Sequence, residues 1–159
     1  LDRDGNVLLE RGAINSPIFP RSSNKPLQAL AMLRHGLDLP DHLLALACSS
    51  HSGEAFHLDG VREILALGQL TEADLQNTPD YPYNQDEHDR AIAAGEPKSA
   101  IFQNCSGKHA AMLLTCRVNG WDLATYRDVD HPLQQAIAVV GNGLVSAVAL
   151  LCGASLMRR

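Results

Sequence analysis

Three short polar segments of the sequence carry side chains whose types and spacing suit chemistry. The first contains Ser22 and Lys25, which are three residues apart and therefore share one face of a helix. A lysine amine that burial keeps neutral can take the proton of a serine hydroxyl, which makes that serine a nucleophile. The pattern is weak on its own, because a helix-capping serine beside a solvated lysine has the same spacing.

The second polar segment, residues 49–54, follows an apolar helical pattern that ends at Cys48. It contains Ser50, His51 and Ser52. A polar loop after a buried helix can direct hydroxyl groups into a cleft, and enzymes with a Ser-x-x-Lys nucleophile use a second serine in such a loop. Either Ser50 or Ser52 fits that role, and a plain helix-ending turn is the alternative.

The third segment places Cys105, Lys108 and His109 at the start of an apolar run that predicts a helix to Asn119. A helix start needs one capping side chain, for which Ser106 is the candidate. The positive end of the helix dipole disfavours a cation, so we expect a lysine there to be neutral or to have another task. Cys105 with His109 could form a nucleophile or part of a metal site, although a closed zinc site needs further ligands. A capped helix with a surface lysine and histidine is the alternative.

Hydrophobic periodicity and stop signals predict the elements that position these segments. We expect helices at residues 26–34, 40–48, 58–67, 86–94, 106–119 and 131–139, and a short one capped by Thr71. Gly141, Asn142 and Gly143 are expected to interrupt the last apolar run. The turn Asp4-Gly5 predicts a β-hairpin, and residues 100–102 predict a brief strand. A lone hairpin is marginal in water, so the chain is expected to contribute to a larger sheet.

Composition argues against several classes of protein. The chain has 159 residues and a net charge of −5 with no basic block, which argues against nucleic acid as a partner. No uninterrupted apolar run reaches membrane-spanning length, so no membrane contact is expected. The cysteines form no Cys-x-x-Cys pair, and reduced thiols in a cytoplasmic protein are the default expectation. They are Cys48, Cys105, Cys116 and Cys152.

Taken together and in this order, the three segments resemble the asparaginase II family, the class 3 or rhizobial-type L-asparaginases. The resemblance lies in RSSNKP at 21–26, ACSSHSGE at 47–54 and QNCSGKHA at 103–110. It covers about residues 1–138 in register and fails in a divergent tail at 141–159. Family members are longer than this chain, so residues 1–159 are expected to form a single, incomplete domain.

The resemblance implies an α/β (α+β) fold similar to that of serine β-lactamases and glutaminases. This chain would be its helix-rich N-terminal portion with a small partial antiparallel sheet. It further implies hydrolysis of L-asparagine to L-aspartate and ammonia, a nearby zinc site and a homodimer.

The same resemblance implies roles for individual residues. Ser22 would be the nucleophile, Lys25 its base and Ser50 the second-loop serine. The implied substrate contacts are Arg21, His51 and Ser52. The implied zinc ligands are Cys105, Lys108 and Cys152, of which Cys152 lies in the divergent tail and is equally well a chance cysteine.

Two other functions stay open from the sequence. One is an inactive truncated fragment that at most binds zinc. The other is an acyl enzyme like the β-lactamases or penicillin-binding proteins, suggested by Ser22 and Lys25, in which the segment around Cys105 would have no role. The preference between asparagine and glutamine is not settled by the sequence.

Overall fold

The computed structural model describes residues 2, 4, 6–12, 16 and 20–151, with side chains up to residue 141. Within these residues the chain forms α-helices joined by loops. The helices are α1 (Lys25–Arg34), α2 (Asp41–Cys48), α3 (Ala55–Leu67), α4 (Gln85–Ala93), α5 (Ser106–Asn119) and α6 (Pro132–Leu151). Short 3-10 helices at Arg21–Asn24 and Glu72–Asp74 precede α1 and follow α3.

The predicted α/β (α+β) fold with a partial antiparallel sheet is wrong for the described part of the chain, which contains no strand. Residues 6–12 have no regular structure, and residues 100–102 form turns. Leu8 and Leu9 are 71% and 73% exposed, so these apolar side chains have no neighbouring strand to pack beside. An isolated bridge between Asp80 and Ser99 is the only β-type pairing among these residues.

Most helix predictions are confirmed to within a few residues. Gly36 and Gly120 follow α1 and α5 with φ angles of +83° and +66°, the left-handed conformation that ends a helix. The interruption expected at Gly141 is wrong, because α6 continues to Leu151. A glycine inside a helix costs only about 1 kcal/mol relative to alanine, which an otherwise apolar helix tolerates.

The core is built around α5, which packs against α1, α2, α3 and α6. Nearly every residue from Ser106 to Cys116 is buried, so this helix is surrounded by the others. At its first turn, a Cβ added to Gly107 would lie 2.9 Å from Cγ of Leu46. Only glycine therefore lets α5 approach the end of α2 so closely, which brings the loop after α2 against the start of α5.

Among the described residues, the search for a helix with the length and hydropathy needed to cross a bilayer found none.

Candidate active site

Lys25, the first residue of α1, has a buried side chain that is only 3% exposed. Its amine lies 3.0 Å from Oγ of Ser50 and 3.4 Å from the carbonyl oxygen of Asn104, and it also contacts the carbonyl oxygen of Ser49. Burial lowers the pKa of this amine; the thiol of Cys105 acts in the opposite direction and the charge of Lys108 in the same direction.

These partners fit either form of the amine, and the lowered pKa favours the neutral form more than in a solvated lysine. A neutral lysine amine has two hydrogens and one lone pair, and carbonyl oxygens can only accept. If the amine is neutral, its two hydrogens serve the carbonyls of Ser49 and Asn104, and its lone pair is left for the hydroxyl of Ser50. The amine is thus placed to accept a proton from a hydroxyl group.

Residues of the first and third polar segments line one cavity of about 390 Å³. Its lining includes Ser22 and Lys25 from the first segment, and Cys105 and Lys108 from the third. Ser22 lies in the 3-10 turn before α1, where its side chain is exposed. Among the described hydrogen bonds of the Lys25 amine, none goes to Ser22.

The polar side chains of the second segment have different partners. Ser50 contacts the amine of Lys25, whereas the hydroxyl of Ser52 donates to the carboxylate of Glu54. His51 is 3% exposed, and its Nε2 lies 2.8 Å from Oγ of Ser106. Burial, with smaller contributions from His57 and Lys25, lowers the pKa of His51 to about 4, so its imidazole is neutral near pH 7.

In the third segment, Cys105 and His109 point to different partners. The Sγ of Cys105 donates to Oε1 of Gln103 at 2.6 Å. Nδ1 of His109 lies 2.8 Å from the hydroxyl of Tyr126, away from the thiol, and burial lowers the pKa of His109 to about 3. The structure therefore does not pair the thiol with the imidazole, as a Cys–His nucleophile would require.

Ser106, the expected cap, is instead the first residue of α5. Its hydroxyl donates to the carbonyl oxygen of Ile101 at 2.8 Å and contacts His51, so the cap prediction is wrong. The N-cap position belongs to Cys105, whose side chain makes no capping hydrogen bond.

A family model described as L-asparaginase II matches residues 1–150 of the chain. The chain belongs to the L-asparaginase II family. A search of curated proteins found no match. The family places the chain among asparaginase-type amidohydrolases, which act on a small-molecule substrate. The match extends beyond residues 1–138, over which the motifs were in register.

The cavity of this L-asparaginase II family member has positive charge at its wall. Arg21, whose guanidinium is always charged, lines it beside the amines of Lys25 and Lys108. Arg21 has a φ angle of +50°, a left-handed conformation that costs a residue other than glycine about 1–2 kcal/mol. Such strain is retained where the surrounding structure fixes it, often at functional sites. A cationic wall of this kind suits a carboxylate-bearing ligand.

The described residues do not by themselves make up a zinc site. Cys105, the N-cap residue of α5, and Lys108, in its first turn, are three residues apart and line the same cavity. The third expected ligand, Cys152, lies outside the described residues. Elsewhere in the described chain, no group of three or more His, Cys, Asp or Glu residues could hold a metal. Two ligands do not complete a zinc site, which normally has at least three from the protein.

Three residues at the cavity were missed in the sequence. Gln28 and Gln103 line it, and the carbonyl of Asn104 binds the amine of Lys25. Gln28 had a signal, because it is a polar residue three positions after Lys25 and within a largely apolar helix. Nothing in the sequence indicated the role of Asn104, because its contact is made by the backbone carbonyl, which every residue has.

Proposed function

We propose that this chain hydrolyses L-asparagine to L-aspartate and ammonia, with Ser22 as nucleophile and Lys25 as general base. The supporting observation is the buried amine of Lys25, whose pKa is lowered, in the same cavity as Ser22. Membership of the L-asparaginase II family supports the substrate. The cationic wall supports recognition of an amino acid through its carboxylate, for which Arg21 is the proposed contact.

In the proposed reaction, the amine of Lys25 takes the hydroxyl proton of Ser22, and the oxygen attacks the side-chain amide carbon of asparagine. The resulting oxyanion requires hydrogen-bond donors, of which the backbone N–H of Ser22 is one candidate. When the carbon–nitrogen bond breaks, the ammonium of Lys25 gives the proton to the leaving NH2 group, which departs as ammonia. Water, deprotonated by the same amine, then attacks the acyl ester. L-aspartate leaves, and the ammonium of Lys25 returns its proton to the oxygen of Ser22, which restores both groups.

Ser50 has a proposed role as the proton relay, because its hydroxyl is 3.0 Å from the amine of Lys25. The same contact favours a second assignment, in which Ser50 is itself the nucleophile. Direct substrate contacts from His51 and Ser52 are less well supported, because their side chains bind Ser106 and Glu54. Those hydrogen bonds would have to break first.

Zinc and a homodimer belong to the proposal as well. Cys105 and Lys108 would hold the metal, with Cys152 as the proposed third ligand. Zinc at this position would organise and polarise the amide-binding pocket. Metal analysis of chain expressed in zinc should give about one zinc per chain for the wild type and a clear loss for Cys105→Ser. Wild-type chain without zinc would contradict this part of the proposal.

Ammonia release from asparagine by the purified chain tests the main proposal. Ser22→Ala should lower kcat by roughly 10⁴-fold or more, as expected for a nucleophile. Ser50→Ala should lower it by about 10²- to 10⁴-fold if Ser50 assists proton transfer. Ser23→Ala is the matched control, because the hydroxyl of Ser23 donates to the carbonyl of Pro20 at 2.5 Å and does not line the cavity.

The comparison of Ser22→Ala with Ser50→Ala also shows which of the two serines is the nucleophile. If Ser50→Ala abolishes the reaction while Ser22→Ala retains it, Ser50 is the nucleophile. Mass analysis of the acyl intermediate, trapped by acid quenching, should locate the adduct on the peptide that contains the nucleophilic serine. Ammonia release that survives both substitutions, or a wild-type chain that releases none, contradicts the proposal for this chain.

A further inference from the structure

His51 and Ser106 form a buried pair that joins the second polar segment to the start of α5. Nε2 of His51 lies 2.8 Å from Oγ of Ser106, and the two residues are 3% and 0% exposed. The hydroxyl of Ser106 donates its one hydrogen to the carbonyl of Ile101 at 2.8 Å. It must therefore accept from His51, which assigns the ring hydrogen to Nε2.

The backbone at His51 makes a second connection between the same segments. The N–H of His51 donates to the carbonyl of Asn104 at 3.1 Å. The amine of Lys25 binds both segments too, through the carbonyls of Ser49 and Asn104 and the hydroxyl of Ser50. Two sets of contacts therefore hold the second polar segment against the third. The His51–Ser106 pair does so in the interior, and the amine of Lys25 does so at the cavity.

Burying the imidazole of His51 does not by itself account for its position, because part of the ring lowers the stability of the fold. Nδ1 of His51 is buried without a hydrogen-bond partner among the described residues. A buried nitrogen without a partner lowers stability, and such atoms in native structures call for an explanation. The ring of His57 stacks on the ring of His51, with 5.4 Å between the ring centroids, but makes no hydrogen bond to Nδ1 of His51.

We propose that His51 is a positioning residue that acts through Ser106 and not a substrate contact. The pair holds the backbone of Ser49 and Ser50 against the start of α5, which keeps the Ser50 hydroxyl at the amine of Lys25. This rests on the proposed Ser/Lys function of the site. The low pKa of His51 is consistent with it, because a neutral imidazole keeps the same donor across the pH range of an assay.

The kinetic test compares His51→Leu, His51→Gln and Ser106→Ala with the wild-type chain. His51→Leu and Ser106→Ala should each lower kcat by about 100-fold, as a displacement near 1 Å does, while KM changes less than about threefold. His51→Gln should recover most of the loss, because its amide nitrogen can replace Nε2 as the donor to Ser106. A residue that bound substrate would instead raise KM. His57→Leu is the matched control, since it removes the neighbouring imidazole and keeps the pair.

A second measurement does not depend on activity. Trace labelling with acetic anhydride compares Lys25 with Lys98, whose side chain is 56% exposed and serves as the internal reference. We expect the labelling of Lys25 relative to Lys98 to rise several-fold in His51→Leu and Ser106→Ala, because the loop that covers the amine loosens. Both variants must first show a cooperative unfolding transition.

The two measurements separate this proposal from the proposed function. If the wild-type chain releases no ammonia, the function fails, and the labelling of Lys25 still decides whether the pair positions the loop. Unchanged labelling in both variants overturns the positioning role, even if kcat falls. An equal loss of kcat in His57→Leu overturns it as well.

Discussion

Replacing Lys25 by methionine would remove the amine and keep an unbranched side chain that fills similar space. The amine contacts Ser49, Ser50 and Asn104 together. We expect Lys25→Met to lower kcat for asparagine by about 10²- to 10⁴-fold, the usual contribution of a positioned general base. KM should change little, because the proposed carboxylate contact, Arg21, is intact.

The effect on stability should be small by comparison. The substitution leaves two carbonyls and one hydroxyl without the amine, but the carbonyl of Asn104 keeps the N–H of His51 and Ser50 is an exposed residue. Each lost hydrogen bond is then worth about 1 kcal/mol or less. The apolar side chain also removes the cost of burying a charge. We therefore expect the free energy of unfolding to change by less than about 2 kcal/mol.

The pH dependence of unfolding tests the lowered pKa directly. The pKa of Lys25 is lower in the folded chain than in the unfolded chain, so between the two values the unfolded chain binds more protons. The contribution of Lys25 to the free energy of unfolding should therefore rise with pH across that window and be flat below the folded pKa. The free energy of unfolding should be measured for both proteins at each pH from 6 to 11. Subtracting the value for Lys25→Met from the value for the wild type then removes the contributions of the titratable groups that both proteins share.

Lys98→Met is the matched control, because Lys98 is exposed and pairs with Asp80 at 3.0 Å. It should change stability by less than about 1 kcal/mol and leave kcat unchanged. Two results would refute the argument. One is a Lys25→Met variant with wild-type kcat and a cooperative unfolding transition. The other is a difference curve that is flat or falls with pH, which would mean that the amine is not destabilised as a cation.

Two further predictions concern stability. Gly53→Ala should lower the free energy of unfolding by about 2–5 kcal/mol in urea titrations, because φ is +85° and the new methyl would lie 2.8 Å from Cβ of Pro82. Gly95→Ala, with φ +69° and open space around it, should cost only about 1–2 kcal/mol, and equal effects would contradict the contact. Acidification from pH 6.5 towards 4 should lower the free energy of unfolding by a few kcal/mol. His51 and His109 are buried, with pKa values of about 4 and about 3 in the folded chain. The unfolded chain therefore takes up protons at these two histidines at a higher pH than the folded chain does. A free energy of unfolding that stays constant over this range would contradict it.

The helices could be predicted from the sequence because their signals are local. Apolar spacing marks the buried face of α3 and α5, and glycines mark the ends of α1 and α5. The expected sheet was wrong for the described residues, because strand pairing depends on a partner that is distant in sequence. Residues 6–10 follow the expected turn with a short apolar run, yet the described chain offers them no strand to bond with.

The residue types of the candidate site were also predictable, but their partners were not. Ser22, Lys25, Cys105 and Lys108 were expected near one another and line one cavity. Their catalytic and metal-binding roles stay predictions. Side-chain motifs show which groups are present, whereas the carbonyl partners of Lys25 depend on how the loops after α2 and before α5 meet.

The dense third segment is explained by packing as much as by chemistry. Gln103 holds the thiol, Ser106 accepts from a buried imidazole, Gly107 lets α2 approach, and His109 binds a buried tyrosine. Of the residues from 106 to 109, Lys108 alone lines the cavity. A substitution in this segment that lowers activity is therefore not evidence for a catalytic group, because most of its side chains serve to join the helices. Only a loss of kcat with unchanged stability and unchanged labelling of Lys25 would separate chemistry from packing at these positions.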